Sequence, residues 1–262
     1  MIPHDIFALL ESKVAPVALS DELCAKYGAY DNSGIILNCG KKVRSALFAL
    51  DLSVAAVKRA EELGYDLIVT HHPAIYAAIK RVDCACGSPT EALAMCAMRG
   101  ISVISMHLNF DAAPRGIDYY LMRGLGGERE EAVCQPLTSG GYGRVYSVPA
   151  QSFESFKSGV EKTFESGRIR FYDSGRKVSK VASFCGAGCD DETMAFAVSH
   201  GADTFVSADM KHHQIAALVS LGLNVVEMTH YCSEIYGFGR IYDEVKEDLG
   251  IPSEFFKDGA LL

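Results

Sequence analysis

Histidine and carboxylate side chains follow three apolar segments of this 262-residue sequence. The segments are DLIVT, ISVISM and LNVVEMT, and each is typical of a buried strand. The polar residues that follow them are His71, His72, His107, Asp111, His230 and Glu234. In open α/β sheets, ligands bind beyond the carboxyl ends of the strands. This placement predicts that the six side chains line one ligand site.

The residue types favour a particular kind of ligand. Imidazole together with carboxylate suits zinc, iron, manganese or nickel better than a structural thiolate site does. Adjacent side chains of an extended chain point to opposite sides, and Pro73 keeps His72 out of the helical conformation. We therefore expect His71 and His72 to face two different ions. A carboxylate can bridge two ions about 3.5–4 Å apart, and Asp111 and Glu234 are the candidates for that bridge.

Each of these residues also has an ordinary structural interpretation. A single histidine at a strand end is usually a hydrogen-bonded turn residue. Asp111 precedes Pro114 and suits a turn or a helix cap, and Glu234 suits the first turn of a solvated helix. The recurrence of such residues after three separate strands favours the metal hypothesis.

Other polar residues have less specific placements. Asp209 and His213 are four positions apart, so a helix would put them on one face, either lining the site or solvating the helix. The segment CGAG at residues 185–188 suits a backbone cradle for an anion or, more simply, a tight turn, since it lacks the established nucleotide-binding glycine patterns. Cys232 is expected to be a buried apolar side chain rather than a ligand or a nucleophile.

Composition and charge exclude several classes of protein. The chain is 49% hydrophobic and 22% charged, which is typical of a globular protein rather than a disordered or fibrous one. Its 25 Lys and Arg against 33 Asp and Glu give a net charge of −8. No long-range basic field is therefore available for nucleic acid, which is not expected as the main partner. No run of 18 apolar residues predicts a membrane span.

The cysteines bear on the compartment. There are nine, an odd number, and their spacings repeat no framework. The pairs Cys84/Cys86 and Cys185/Cys189 lack the doubled CxxC pattern of a structural zinc site. The first residues contain no basic segment of the kind that opens a secretion signal. Free thiols without such a signal predict a reducing, cytoplasmic location.

Strand-like segments alternate with alanine-rich helical segments in both halves of the sequence. Ser53 suits the N-cap of the first such helix and Gly64 suits its end. Strands are predicted over residues 43–50, 66–70, 101–106, 144–148, 178–185, 204–207 and 223–228. Helices are predicted over residues 54–63, 90–99, 153–164, 191–200, 215–221 and about 237–249. This order predicts largely parallel sheets with helices on their faces.

The two halves also resemble each other. GYDLIVT at 64–70 matches GADTFVS at 201–207, and GISVISM at 100–106 matches GLNVVEM at 222–228. The matches occur in the same order, which favours an internal duplication. We therefore expect an α/β protein of two similar domains with a metal cleft between them. The expected domains are residues 1–126 with 231–262, and residues 127–230.

Several motifs together resemble those of a known family, the GTP cyclohydrolase 1 type 2 homologs, also called Nif-three-like dinuclear metal-centre proteins. The resemblance covers nearly the whole chain. The motifs are YDNSG at 30–34, THHP at 70–73, HLNFDAAP at 107–114, DMKHH at 209–213 and HYCSE at 230–234. Thr229, Arg115 and Ala208 replace glycines of the family pattern. These departures affect the mouth of the expected pocket, where Arg115 would add a cation suited to an anionic substrate.

The resemblance implies a ring-shaped homo-hexamer with two divalent transition-metal ions per chain. Carried over by position, the ligands are His71, His72, Asp111, His230 and Glu234. Glu234 is then the expected bridge, and His107 a nearby residue that donates to a ligand or substrate. His107 and His213 are the candidates for proton transfer, because the pKa of histidine suits work near neutrality.

These expectations lead to two hypotheses of function. The first is a metal-dependent hydrolase of a small molecule, in which two ions activate water. The family name implies opening of the purine ring of GTP, while a phosphoester or a cyclic amide is equally compatible with the residues. The second is a non-catalytic metal-binding or regulatory hexameric protein. An open coordination position would favour catalysis over a structural ion.

Overall fold

The computed structural model describes residues 1–84 and 89–262, so Cys86 lies outside the described residues. The strands are β1 Gly34–Leu37, β2 Ala46–Ala49, β3 Leu67–Thr70, β4 Ser102–Ser105, β5 Ala132–Pro136, β6 Gly141–Gln151, β7 Arg170–Tyr172, β8 Val178–Ser183, β9 Thr204–Ala208, β10 Asn224–Met228 and β11 Ser253–Phe256. The helices are α1 Pro3–Lys13, α2 Ala18–Tyr27, α3 Val54–Leu63, α4 Pro89–Arg99, α5 Leu108–Ala112, α6 Ile117–Gly124, α7 Phe153–Phe164, α8 Asp191–Ser199, α9 His212–Ser220 and α10 His230–Val245. No helix of the described chain is both long and apolar enough to cross a bilayer.

The chain divides into two compact units. The first unit is Met1–Ala113 with Phe238–Gly259, and the second is Pro114–Gly237 with Ala260–Leu262. Helix α10 contributes its first half to the second unit and its second half to the first. The domain boundaries expected from the sequence remain a prediction.

The first unit is built on a sheet of order β1-β4-β3-β2-β11. Strands β4, β3, β2 and β11 are parallel, and β1 is antiparallel to β4. All residues of β2, β3 and β4 are buried, which explains their nearly continuous apolar sequences. Ala56 and Ala60 of α3 and Cys96 of α4 pack in one core with Leu47 and Ile68 of the sheet.

The second unit is built on a sheet of order β5-β6-β8-β9-β10-β7. Strands β8, β9 and β10 are parallel and form its centre. Strands β6, β5 and β7 extend this centre with antiparallel pairs. Phe184, Phe205 and Val225 pack in its core with Leu218 of α9. The fold is therefore α/β with two sheets flanked by helices, as predicted. The second sheet is not largely parallel, because three of its five strand pairs are antiparallel.

The predicted helix boundaries depend on local chemistry and are confirmed where that chemistry is strong. The hydroxyl oxygen of Ser53 accepts a hydrogen bond from the amide of Ala56, and Gly64 ends α3 in the left-handed conformation with φ 67°. Helix α7 covers the predicted residues, with Ser152 as its N-cap. The final helix differs from the prediction, because α10 begins at His230 rather than near Gly237.

The similarity of the two halves extends to their hydrogen bonding. Asp66 precedes β3 and accepts a hydrogen bond from the amide of Arg44 at 3.0 Å. Asp203 precedes β9 and accepts from the amides of Ser179 at 2.8 Å and Lys180 at 2.9 Å. In both units the peptide carbonyl of this aspartate accepts from the first residue of the next parallel strand at 2.9 Å. An aspartate therefore joins neighbouring strands at matching points of the two sheets, through both its carboxylate and its backbone carbonyl.

Candidate metal centre

Three histidines come together in the first unit. His71 and His72 follow β3 directly, and His107 follows β4 and precedes α5. Ring nitrogens of all three lie within 4.8 Å of one another. His71 is fully buried, while His72 and His107 are partly exposed. The parallel arrangement of β3 and β4 accounts for this grouping, because it brings the carboxyl ends of both strands to one edge.

His71 and His72 do not point to opposite sides of an extended strand, and their service to two different ions remains a prediction. Their ring centroids lie 4.9 Å apart. Strand β3 ends at Thr70, and the amides of both histidines bond to the carbonyl oxygen of Leu50. The chain bends here, so the alternation of an extended strand does not apply. Both rings can therefore contribute to one group of ligands.

Oxygen acceptors orient all three rings through Nδ1. Nδ1 of His71 lies 3.0 Å from the carbonyl oxygen of Met106, which can only accept, so Nδ1 carries the proton. Nδ1 of His72 lies 2.7 Å from Oδ1 of Asp51, and Nδ1 of His107 lies 2.9 Å from Oδ1 of Asp31. In neutral imidazoles this leaves Nε2 as the basic nitrogen. Metal-binding histidines characteristically bond in this way to an oxygen through their other nitrogen.

Asp111 provides the carboxylate of the first unit. It lies in α5, and its Oδ1 is 3.4 Å from Nε2 of His71. The residue is 4% exposed. The alternative that Asp111 serves only as a turn or helix cap is not supported, because its carboxylate is buried beside the imidazole of His71. Asp111 and His71 are therefore close enough to contribute to one group of ligands.

Asp31 belongs to the YDNSG motif and had no individual role in the sequence analysis. Burial raises its pKa, but hydrogen bonds from His107 and Ser33 outweigh burial and lower that pKa to about 2. The hydroxyl of Ser33 also accepts a hydrogen bond from the amide of His107 at 2.9 Å. Asp31 and Ser33 together fix both the ring and the backbone of His107.

The second unit carries His230 and Glu234 on the first turns of α10. Nε2 of His230 lies 3.1 Å from Oε1 of Glu234, at i,i+4 spacing. Nδ1 of His230 lies 2.6 Å from Oδ2 of Asp209. Glu234 is 2% exposed, so it is not a solvated first-turn glutamate. The arrangement repeats that of the first unit, with Nδ1 on an oxygen acceptor and Nε2 toward a carboxylate.

Asp209 and His213 do not share a helix face, contrary to that expectation. Helix α9 begins at His212, and Asp209 precedes it with a positive φ of 51°. His213 is exposed on α9 and joins none of the close histidine and carboxylate groups among the described residues. Proton transfer by His213 remains a prediction, as it does for His107.

The CGAG segment forms a tight turn against Glu234. The amide of Gly188 donates to the carbonyl oxygen of Gly186 at 3.0 Å, and Gly186 has a φ of 60°. A Cβ at Gly186 would lie 2.5 Å from Oε1 of Glu234. The amide of Gly186 donates to the hydroxyl of Ser233 at 3.0 Å. The glycine is therefore required both by its conformation and by the close approach of the glutamate.

A buried ion pair stabilises the CGAG turn. Arg144 and Asp118 form a salt bridge in which both side chains are essentially inaccessible. Oδ1 of Asp118 accepts from the amide of Cys185 at 3.1 Å, and Oδ2 accepts from the amide of Gly143 at 3.0 Å. Burial raises the pKa of Asp118, while Arg144 and the two amides act in the opposite direction. No sequence motif indicated this pair, because charged residues are rarely fully buried.

Two further residues of the motifs have defined surroundings. Cys232 is fully buried, and burial raises its pKa to about 11, which opposes a role as nucleophile. Its predicted burial is confirmed. Arg115 is exposed, and its guanidinium donates to the hydroxyl of Tyr120 at 3.0 Å.

The donors present in each unit fit a transition-metal ion. They are imidazole nitrogens and carboxylate oxygens, and no cysteine belongs to these groups among the described residues. The fold and these residues define a class of two-unit α/β proteins with histidine and carboxylate groups suited to metal binding. The chain belongs to the Duf34/NIF3 (NGG1p interacting factor 3) family, whose model matches residues 14–257. The family resemblance drawn from the motifs is confirmed.

Individual relatives agree with this assignment. A Methanocaldococcus jannaschii protein named GTP cyclohydrolase 1 type 2 homolog is 28% identical over 226 residues, covering 84% of this chain and 88% of that protein. The structure of reduced HcgD from Methanocaldococcus jannaschii is 27% identical, with a TM-score of 0.80 and 98% coverage of both chains. The Staphylococcus aureus hypothetical protein SA1388 has a TM-score of 0.83 at 22% identity, covering 98% of this chain and 97% of that one. The last likeness concerns the fold alone.

Proposed function

We propose that the protein is a metal-dependent hydrolase with two divalent transition-metal ions per chain. The proposed ligands are His71, His72, Asp111, His230 and Glu234, with Glu234 as the bridge. The observation that carries the proposal is the shared orientation of the histidines, each of which bonds through Nδ1 to an oxygen acceptor. In this orientation Nε2 is available to a metal ion. The rings are already fixed, so binding a metal would cost no further side-chain conformational entropy.

The residues of the chain would divide the chemistry as follows. When bound, the ions supply Lewis-acid activation of water and of the group that is attacked. His107 lies beside the ligand histidines, where an imidazole held by Asp31 can accept or return a proton. Arg115 offers an exposed cation to an anionic part of the substrate.

The names of the relatives suggest the first substrate to test. Several are called GTP cyclohydrolase 1 type 2 or its homolog. We propose a small molecule with a hydrolysable C–N or ester bond, with GTP first, then a phosphodiester and a cyclic amide. We further propose a cytoplasmic homo-hexamer, which light scattering would detect as about six times the chain mass of 28.3 kDa.

Metal analysis of the purified protein tests the ligand assignment. The wild type should carry about two transition-metal ions per chain. The double variant His71→Ala with Glu234→Ala should lose most of these ions, because it removes one proposed ligand from each of the two units. The exposed pair His200→Ala with Glu192→Ala is the matched control and should retain them. Full metal content in the first double variant would refute the assignment.

Activity is tested separately on metal-loaded protein. Turnover of one member of the substrate panel should disappear in Glu234→Gln, which keeps the size of the side chain. A protein that holds its metal but turns over no substrate would instead support a metal-binding or regulatory role.

A further inference from the structure

Two tyrosines differ in exposure from the other aromatic residues of the described chain. The sequence has 12 Tyr and 13 Phe. Among the described residues, Tyr30 and Tyr76 are the exposed large aromatic side chains, at 56% and 54% exposure. Exposed aromatic rings that lie next to each other are candidates for contact with a ligand or a partner.

The two rings form a defined pair. Their centroids lie 5.1 Å apart at an interplanar angle of 81°, an edge-to-face contact. The segments that carry them are joined by a hydrogen bond of 2.6 Å from the side-chain amide of Asn32 to the carbonyl oxygen of Ile75. The hydroxyl of Tyr76 also lies 3.5 Å from the carbonyl oxygen of Tyr30. Packing and hydrogen bonding therefore hold two exposed rings in a fixed relation.

The pair borders the histidine group of the first unit. The ring of Tyr76 lies 6.4 Å from that of His107, measured between centroids, at an angle of 84°. Tyr30 is the sequence neighbour of Asp31, whose carboxylate accepts from His107. An exposed apolar surface thus adjoins a set of polar, metal-suited groups. Small-molecule sites combine these two features, with apolar walls and a few convergent polar groups.

We propose that Tyr30 and Tyr76 bind a planar ring of the substrate by stacking. The substrate class is then a heteroaromatic ring attached to a polar or anionic group, with the polar group directed toward the histidines. Stacking recognises a flat π-face rather than a pattern of hydrogen bonds, so it selects rings over acyclic compounds without distinguishing one base from another. This inference rests on the proposed function for the identity of the polar end.

Binding of matched probes to metal-loaded protein tests the pair. GTP and ATP each carry a planar ring, and inorganic tripolyphosphate carries the same kind of anionic chain without one. Calorimetry should show tighter binding of both nucleotides than of tripolyphosphate. Tyr76→Ala should weaken both nucleotides about tenfold and leave tripolyphosphate unchanged. Tyr76→Phe, which keeps the ring and removes the hydroxyl, should behave as the wild type.

Several outcomes would overturn the inference. One is equal affinity of the wild type for nucleotides and tripolyphosphate, and another is unchanged nucleotide affinity in Tyr76→Ala. A change in oligomeric state without a change in affinity would instead assign the pair to an interface between copies. Metal content and turnover are measured on the same samples. If metal content and turnover are normal but neither the wild type nor Tyr76→Ala shows a contribution of the ring to binding, this inference alone is refuted, whereas wild-type protein without metal refutes the proposed function.

Discussion

Asp209 accepts a hydrogen bond from Nδ1 of His230 at 2.6 Å, although the two residues lie 21 positions apart in the sequence. Asp209 follows β9 and His230 begins α10, so the contact depends on the parallel pairing of β9 and β10. The carboxylate fixes the proton on Nδ1 and directs Nε2 toward Glu234, 3.1 Å from its Oε1. Asp209 thus acts on the proposed centre without being one of its ligands.

Asp209→Asn is expected to weaken metal binding roughly 10–100-fold. The amide keeps the size of the side chain and tolerates the positive φ of 51°, but it removes the negative charge that holds the imidazole. Competition with a chromogenic chelator measures the change. The exposed Asp191→Asn is the control and should bind metal as the wild type does. Equal affinities of the two variants would show that the carboxylate is dispensable.

Gly186→Ala is expected to lose metal as well as stability. The new Cβ would lie 2.5 Å from Oε1 of Glu234, so the carboxylate must move. Gly175→Ala is a matched control, because Gly175 also has a positive φ, 81°, but nothing lies within 4 Å of its Cβ position. Both variants should lose about 1–2 kcal/mol of unfolding free energy through backbone strain. Only Gly186→Ala should lose metal in the same chelator titration, and equal metal content would contradict the close approach.

Metal binding is expected to raise the melting temperature. A ligand that binds the native state at 100 times its Kd stabilises it by about 2.7 kcal/mol, which corresponds to roughly 5–10 °C for a chain of this size. The measurement is thermal unfolding with a chelator and with an added metal ion. The variant His71→Ala with Glu234→Ala should show no such difference. An equal rise in that variant would mean that the ions bind elsewhere.

Asp66→Asn is expected to destabilise the first unit in a pH-dependent way. Hydrogen bonding from Arg44 lowers the pKa of Asp66 in the folded state. The stabilisation is therefore present above the unfolded pKa of about 3.9 and is lost as the pH falls through the folded-state value. Because Arg44 is 79% exposed, the loss at pH 7 should be only about 1 kcal/mol.

Urea unfolding at pH 7 and at about pH 2.5 measures this effect. At the lower pH the protonated aspartic acid resembles asparagine, and the difference from the wild type should shrink. Asp243→Asn is the control, since Asp243 pairs with Lys246 on an exposed face and should change stability little. A difference for Asp66→Asn that stays constant with pH would contradict the charge-based explanation.

The sequence predicted those features that depend on neighbouring residues. Ser53 and Gly64 fix both ends of α3 by local hydrogen bonding and by conformation, so its bounds were predictable. The grouping of His71 and His107 followed from the rule that parallel strands end at one edge of a sheet.

The oxygen partners of the histidines were not predictable in the same way. Asp31 lies 76 positions from His107, and Asp51 lies 21 positions from His72. A single sequence contains no pattern that joins such residues, because their contact arises only after the strands have paired. The early start of α10 was missed although Thr229 caps the helix, its hydroxyl oxygen accepting from the amide of Cys232 at 3.1 Å. Residues 230–236 combine polar and aromatic side chains, so they show no clear helical pattern.

The glycine at position 186 has a consequence for selectivity among metal ions. The turn closes off the space on one side of the Glu234 carboxylate, so this group can adjust its position only away from the turn. In the proposed centre, replacing a small cation by a larger one would therefore require other ligands to give way. We expect the proposed centre to distinguish cations by ionic radius because the turn backbone restricts the Glu234 carboxylate, and not through donor chemistry alone.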